Sequence, residues 1–207
     1  AYCVHEFEGD FVPFEDILTL CREAGNPVMV FEFASTSKIT FPGAGISVMA
    51  CSEANQAYMQ KLMGIQMISY DKVNELRHVL YLKDKQTTLA LMKKHAAVLA
   101  PKFHCVLEML DREIAPLGIA TWQRPKGGYF VSVNTEPGLA KRTLALCKEA
   151  GVVMTGAGAT FPYGVDPQDS NIRIAPSFPP IDELVQATEL FVLCVKLVSV
   201  DKLLENM

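Results

Sequence analysis

Two short apolar runs, joined by a loop of glycine and small hydroxyl residues, most constrain the fold of this chain. Residues 28–33 (VMVFEF) and 46–51 (ISVMAC) are short and rich in β-branched and aromatic side chains, which is typical of buried strands. A helical pattern at 13–24 precedes the first run, and another at 53–68 follows the second. Strands that alternate with helices predict an α/β fold in which helices cover a sheet.

The character of the chain changes in its second half. Residues 84–114 form the longest periodic segment, and Pro101 is expected to kink or divide this helix. The segments predicted beyond it are an antiparallel pair at 120–125 and 127–134, a helix at 137–150, short strands at 152–155 and 171–177, and a terminal helix at 180–203. We therefore predict a boundary near residue 100. Residues 1–100, which begin with a strand at 2–7, complete an α/β sheet, and residues 101–207 form a smaller α+β domain.

Charge and composition exclude several classes of function. The net charge is −4 and the basic residues are scattered, whereas a nucleic-acid-binding surface needs a concentrated basic face. No apolar run approaches the roughly 20 residues that span a bilayer. Six cysteines without a CxxC pair favour free thiols and a reducing cytoplasm, and the four histidines lack metal-ligand spacing.

The most informative single residue is Lys38, which follows the first apolar run. Ligands of α/β sheets bind outside the carboxyl ends of strands, and a lysine there can form a Schiff base with a carbonyl cofactor. Ser35, Thr36 and Ser37 supply hydroxyls beside it, and the glycines after it permit close backbone approach, which together suit a phosphate group. The alternative is an ordinary solvated loop lysine.

Four stretches, in order along the chain, carry a resemblance to a known family. STSKITFPGAG (35–45) resembles the cofactor-lysine loop of fold-type I pyridoxal-phosphate enzymes, the aspartate aminotransferase superfamily. It is most similar to a bacterial subgroup related to the aminotransferase-like part of MocR regulators. PKGGYF (125–130) is similar to the hairpin of the small domain, and NIRIA (171–175) to the strand with the substrate-binding arginine. The first two residues, AY, resemble the end of an Asp-x-Ala-Tyr strand.

The resemblance implies a role for each matching residue. Lys38 would hold pyridoxal 5′-phosphate as a Schiff base, with Ser35 and Ser37 at the phosphate. Tyr2 would contact the ring oxygen of the cofactor, and Arg173 would bind the α-carboxylate of the substrate through its planar guanidinium. No metal site is implied.

Two departures from the family pattern affect the cofactor site. Relatives often place an arginine seven or eight residues after the lysine, where this chain has Gly45 and Ile46. The aspartate that binds the pyridinium nitrogen would precede residue 1, so we expect the chain to be the C-terminal half of a longer protein. On that interpretation residues 1–100 are the end of the large cofactor-binding domain, and the 207 residues alone do not turn over substrate.

The activity implied for the intact protein is transfer of an amino group between an amino acid and a 2-oxo acid. The freed Lys38 amine would act as general base and acid. The resemblance also implies a homodimer. From the charge, the apolar runs and the cysteines we expect a cytoplasmic protein that binds neither nucleic acid, through this segment, nor membrane. Two alternatives remain open: a lyase or decarboxylase on the same scaffold, and a MocR-type regulatory domain without turnover.

Overall fold

The computed structural model describes residues 5–9, 13–205 and 207, which divide into two compact units. We call residues 9–93 the N-terminal unit, and residues 94–207 with 1–8 the C-terminal unit. The described residues form these helices and strands: α1 Ile17–Glu23, β1 Phe31–Ser35, β2 Ser47–Cys51, α2 Glu53–Gln66, α3 Lys72–Leu82, α4 Lys85–Glu113, β3 Ala120–Trp122, β4 Val131–Thr135, α5 Ala140–Glu149, β5 Asn171–Ile174 and α6 Ile181–Glu205.

In the N-terminal unit, β1 and β2 form an antiparallel pair whose register runs from Phe31 opposite Cys51 to Ser35 opposite Ser47. Side-chain caps define the starts of the helices that follow. The Ser52 hydroxyl accepts from the Asn55 N–H at the start of α2, and the Asp71 carboxylate accepts from the Asn74 N–H at the start of α3. The hairpin and α3 together position the loop that contains Lys38.

The prediction of a buried strand at 28–33 is wrong in two respects. β1 begins at Phe31 and ends at Ser35, and all five of its residues are exposed, Phe33 to 71%. The reason is that β1 pairs with one strand among the described residues, so this two-stranded sheet has too few neighbours to cover its faces. The apolar character of the sequence was correctly identified, but apolar character does not show what covers a strand.

The C-terminal unit has a three-stranded antiparallel sheet in the order β3-β4-β5. Alternate residues of β4 and β5 face a common core, as the period of two in a strand requires. Helices α4 and α6 cover this face. The main buried side chains are those of Phe103, Val106, Leu110, Val131, Val133, Ile172, Ile174, Phe191 and Val195.

Other differences from the sequence-based expectations have local causes. Helix α4 continues through Pro101 instead of being divided there. Pro101 is exposed, so water can satisfy the carbonyl that its missing N–H leaves without a partner. Residues 5–7 and 152–155 are not strands, and the Phe7 N–H donates to the Lys126 carbonyl at 2.6 Å. The predicted boundary near residue 100 stays a prediction.

The helices of the described residues are too short or too polar to cross a membrane.

The buried thiols of the C-terminal unit should resist modification. Cys147 on α5 is 0% exposed and Cys194 on α6 is 2% exposed. Burial, followed by the hydrogen bond with Cys194, raises the pKa of the Cys147 thiol to about 12. We expect a thiol reagent at about pH 8 to modify the partly exposed Cys21 and Cys51 and to spare this pair, because the thiolate is the nucleophile.

Mass spectrometry of peptides from the labelled intact protein measures this difference. Labelling in guanidinium chloride is the control, in which every cysteine should react. Equal labelling of Cys147 and Cys21 in the folded protein would contradict the packing of α5 against α6.

Candidate functional site

Lys38 lies in a tight loop that continues the β1–β2 hairpin. The Thr36 N–H donates to the Ile46 carbonyl at 2.9 Å, and the Ile46 N–H donates to Thr36 Oγ1 at 3.0 Å. This pair is the next in register after Ser35 and Ser47, so it closes residues 36–46 into what we call the lysine loop. Inside the loop, the N–H groups of residues 39 and 40 both donate to the Thr36 carbonyl at 2.9 Å. The position of Lys38 is therefore determined by the strand register.

Two serine hydroxyls lie at the start of the lysine loop. Ser35 Oγ donates to Ser37 Oγ at 3.1 Å, and the Ser37 N–H donates to Ser35 Oγ at 3.4 Å. Both serines and Lys38 are exposed. A hydroxyl donates one hydrogen bond and can reorient, so this pair suits an anionic oxygen such as that of a phosphate. Lys38, the residue directly after Ser37, adds an amine beside this pair.

Gly45 passes so close to Ser37 that any side chain at position 45 would make unusually tight contacts with it. A Cβ atom at position 45 would lie 3.1 Å from Ser37 Oγ and 3.2 Å from Ser37 Cα and N. This is one of the two positions at which the family resemblance leads us to expect an arginine. At the other, Ile46 is partly buried, and both of its backbone polar groups bond to Thr36. The limited space beside Ser37 therefore favours glycine at position 45.

One face of α3 contacts the lysine loop, and sequence reasoning missed this helix. Asn74 Nδ2 donates to the Ala44 carbonyl at 3.1 Å. The Arg77 guanidinium carbon lies 4.5 Å from the centre of the Phe41 ring, and the Tyr81 ring centre lies 5.2 Å from it. Residues 74, 77, 78 and 81 have the i, i+3, i+4, i+7 spacing of one helical face, and that spacing is the signal that could have identified them.

The fourth residue of this face is His78, which is 1% exposed. Its Nδ1 lies 2.8 Å from the Asn74 carbonyl, and its Nε2 lies 2.8 Å from Thr40 Oγ1 and 3.2 Å from Thr36 Oγ1. A carbonyl only accepts, so Nδ1 carries a proton, and in the neutral ring Nε2 is the acceptor for the threonine hydroxyls. The imidazole therefore connects α3 to residues on both sides of Lys38.

Arg173 belongs to the C-terminal unit, at the centre of β5. It pairs with Ser132 in the sheet register, and its guanidinium carbon lies 4.4 Å from the centre of the Phe130 ring. Its Nε is buried and has no hydrogen-bond partner among the described residues. Buried donors without a partner are rare in native proteins. This donor is consequently available to an anion such as a carboxylate.

A polar network holds the strand on which Arg173 lies. Asn171 Nδ2 donates to Ser132 Oγ at 2.9 Å and to Asn134 Oδ1 at 2.8 Å, while Asn171 Oδ1 accepts from Thr160 Oγ1 at 2.7 Å. These bonds lie on the same face of β5 as Arg173, because residues two apart in a strand share a face. The network fixes the face of the sheet from which the guanidinium projects.

Asp166 holds the segment that leads into β5, a role that no sequence pattern indicated. Its Oδ2 accepts the N–H groups of Ser170 and Asn171, each at 2.8 Å. The Asn171 N–H, followed by the Ser170 N–H among the favourable contacts, lowers the pKa of this carboxyl below its ordinary value. The carboxylate therefore orients the first residue of β5.

A cavity of about 670 Å³ lies beside Arg173. Its walls are residues 150–155, residues 173–175, Phe178 and the first half of α6. Most of these side chains are apolar, and Arg173 and Glu183 are its charged members. A volume of this size admits a small organic molecule.

The residues predicted for the site fall into the two units. The N-terminal unit contains Lys38, Ser35 and Ser37, and the C-terminal unit contains Arg173. Tyr2 lies outside the described residues. Their roles stay predictions, but the chemistry fits pyridoxal phosphate: an amine for its carbonyl carbon, hydroxyls for its phosphate, and an unsatisfied guanidinium donor for a substrate carboxylate.

Comparison with known proteins gives consistent matches over the whole chain. A family model described as aspartate amino-transferase matches residues 1–207. An aspartate aminotransferase of Corynebacterium glutamicum is 45% identical over 201 residues, which cover 97% of this chain and 46% of that protein. The crystal structure of an aspartate transaminase from the same species has a TM-score of 0.94 at 44% identity, over 98% of this chain and 48% of that one.

More distant structures share the fold alone. The α-aminoadipate aminotransferase LysN of Thermus thermophilus, in complex with N-(5′-phosphopyridoxyl)-L-leucine, has a TM-score of 0.74 at 23% identity. The match covers 97% of this chain and 49% of that one. The chain thus spans about half the length of the relatives it matches.

The close approach of Gly45 to Ser37 can be tested by adding one methyl group. We expect Gly45→Ala to lower the free energy of unfolding by about 1–3 kcal/mol, because the loop backbone must shift to admit it. Gly64→Ala in α2 is the matched control. Its new Cβ has no neighbour within 4 Å, so it should raise stability by about 0.5–1 kcal/mol. Denaturant unfolding of the intact protein measures both, and wild-type stability of Gly45→Ala would contradict the loop geometry.

Proposed function

The chain belongs to the aspartate aminotransferase family, and from that premise we propose that the intact protein is a pyridoxal-phosphate-dependent aminotransferase. It would transfer an amino group between an amino acid and a 2-oxo acid. The observation that carries the proposal is the closed lysine loop, in which Lys38 follows two exposed serine hydroxyls. Arg173, in the C-terminal unit, supplies a donor for the carboxylate that every amino-acid substrate has.

Lys38 is the residue proposed to bind the cofactor covalently, as a Schiff base through its Nζ atom. Hydrogen bonds on both sides hold its backbone, which determines where the side chain leaves the loop that follows β1. When bound, pyridoxal phosphate supplies the electron sink that stabilises negative charge at the substrate Cα. The Lys38 amine would serve as the base that removes the Cα proton.

The serine pair is the proposed contribution of this chain to phosphate binding. The Ser35 hydroxyl now donates to Ser37, and rotation about its Cβ–Oγ bond would redirect it to a phosphate oxygen. Gly45 leaves room for this exchange, because it adds no side chain beside Ser37. Tyr2, through its hydroxyl, is the residue proposed at the ring oxygen of the cofactor, on the basis of the family resemblance alone.

Arg173 is the residue proposed to bind the substrate carboxylate. Its guanidinium stacks over the Phe130 ring, which excludes water from one side of the cation and strengthens its attraction for an anion. The network around Asn171 keeps β5 in place, so the guanidinium presents a fixed fork to the two oxygens of a carboxylate. A homodimer, a cytoplasmic location and inactivity of the 207 residues alone stay predictions.

Replacement of Lys38 tests the covalent role. In the intact protein, Lys38→Ala should abolish the cofactor adduct that borohydride traps on this peptide. It should also lower amino transfer from aspartate to 2-oxoglutarate by at least about 10²–10⁴-fold, the usual contribution of a general base. The control is Lys61→Ala, an exposed lysine of α2 that should retain both properties. Wild-type transfer by Lys38→Ala would overturn the assignment, and release of ammonia or CO₂ in place of transfer would identify a lyase.

Replacement of Arg173 tests the carboxylate site. Arg173→Lys keeps the charge but loses the two-pronged geometry, so we expect kcat/KM to fall about 10- to 100-fold, with most of the change in KM. Arg142→Lys is the control, since that guanidinium pairs with Asp201 and Glu205 on the surface. Steady-state kinetics with a series of amino acids measures both. Unchanged kcat/KM in Arg173→Lys would remove Arg173 from the site.

A further inference from the structure

We propose that His78 is a positioning residue that holds the lysine loop in the conformation in which Lys38 captures the cofactor. The proposal rests on the function proposed above, and it concerns a contact within the N-terminal unit alone. His78 does not touch a reacting atom. It would act through the two threonines that flank Lys38 in the loop.

The imidazole of His78 contacts the lysine loop on both sides of Lys38. Nε2 contacts the hydroxyl of Thr36, two residues before the lysine, and that of Thr40, two residues after it. One ring nitrogen therefore links both sides of the turn to a helix. A displacement of either threonine would change the direction in which the Lys38 side chain leaves the backbone.

Each threonine hydroxyl has two acceptors within reach, the His78 ring and a backbone carbonyl inside the loop. Thr40 Oγ1 lies 2.8 Å from Nε2 but 3.2 Å from its other partner, the Thr36 carbonyl. Thr36 Oγ1 lies 3.2 Å from Nε2 and 3.5 Å from the Ile46 carbonyl. Without the ring, each hydroxyl retains its longer contact as a donor, and that contact lies inside the loop. The loop would then lose its hydrogen bonds to α3 beside Lys38.

His78 differs from its neighbours on α3 in its hydrogen bonds to the loop, which go to Thr36 and Thr40. Its ring also meets the Phe41 ring edge-on, with 5.4 Å between the ring centres. Asn74 contacts the loop at Ala44, and Arg77 and Tyr81 contact it at Phe41, so these three hold the segment beyond the turn that contains the lysine whether or not His78 is present. Loss of His78 should therefore loosen residues 36–40 and leave residues 41–46 attached to the helix. An apolar residue would fill the same volume at no desolvation cost, so the hydrogen bonds are the feature that an imidazole adds.

Two variants of the intact protein test the proposal. His78→Gln places an amide oxygen near the position of Nε2 and keeps an acceptor for the threonines. His78→Leu keeps comparable volume without any acceptor. The cofactor-free proteins are mixed with pyridoxal phosphate, the Lys38 adduct is trapped with borohydride at successive times, and its peptide is quantified by mass spectrometry. Hydrogen–deuterium exchange of the same cofactor-free proteins reports on residues 36–40 and 41–46.

We expect His78→Leu to capture the cofactor at Lys38 about 3- to 10-fold more slowly than the wild type, and His78→Gln to remain within about twofold of it. Exchange should quicken at residues 36–40 in His78→Leu, but neither at 41–46 nor in His78→Gln. Capture at the wild-type rate by His78→Leu would overturn the proposal. Equal losses in both variants, with faster exchange throughout residues 13–93, would also overturn it and make His78 an ordinary core residue.

A different result is expected if the proposed function itself is wrong. In that case the wild type itself forms no adduct at Lys38, and the exchange comparison decides the positioning role independently. Faster exchange confined to residues 36–40 in His78→Leu supports the role of His78, and unchanged exchange there rejects it.

Discussion

The candidate site depends first on the hydrogen bonds between Thr36 and Ile46. They extend the β1–β2 ladder by one pair and close the loop in which Lys38 lies. Since side chains alternate between the faces of a strand, a slip of one residue in this register would turn every side chain of β1 to the opposite face. The same slip would remove Gly45 from its place beside Ser37. The register of a short hairpin thus controls both the direction of the lysine and the space around its neighbours.

The local signals in the sequence predicted some of the elements that position the candidate site. Glycine and proline after Lys38 indicated the loop, and alternation around Arg173 indicated its strand. Helix α3 was missed because the face that it presents to the lysine loop consists of Asn74, Arg77, His78 and Tyr81. A search for apolar periodicity cannot detect a face whose contacts are hydrogen bonds and ring stacking. The exposure of β1 was missed because a pattern of side chains does not specify the neighbours of a strand.

The two units hold their candidate residues by different physical means. In the C-terminal unit, a three-stranded sheet packs its inner face against α4 and α6, so burial fixes β5 and the polar network around Asn171 refines the direction of Arg173. An unsatisfied buried donor such as the Arg173 Nε has a free-energy cost. A well-packed core can tolerate that cost, since many apolar contacts offset it.

In the N-terminal unit the balance is reversed. A two-stranded hairpin is at best marginally stable in water, and β1 and β2 bury little of their apolar surface. The conformation of the lysine loop therefore relies on directional contacts from α3 more than on burial of its own strands. Directional contacts fail individually, whereas a packed core loosens as a whole. It follows that the loss of one side chain on α3 can change the geometry at Lys38. The geometry at Arg173, in contrast, is maintained by the core beneath it.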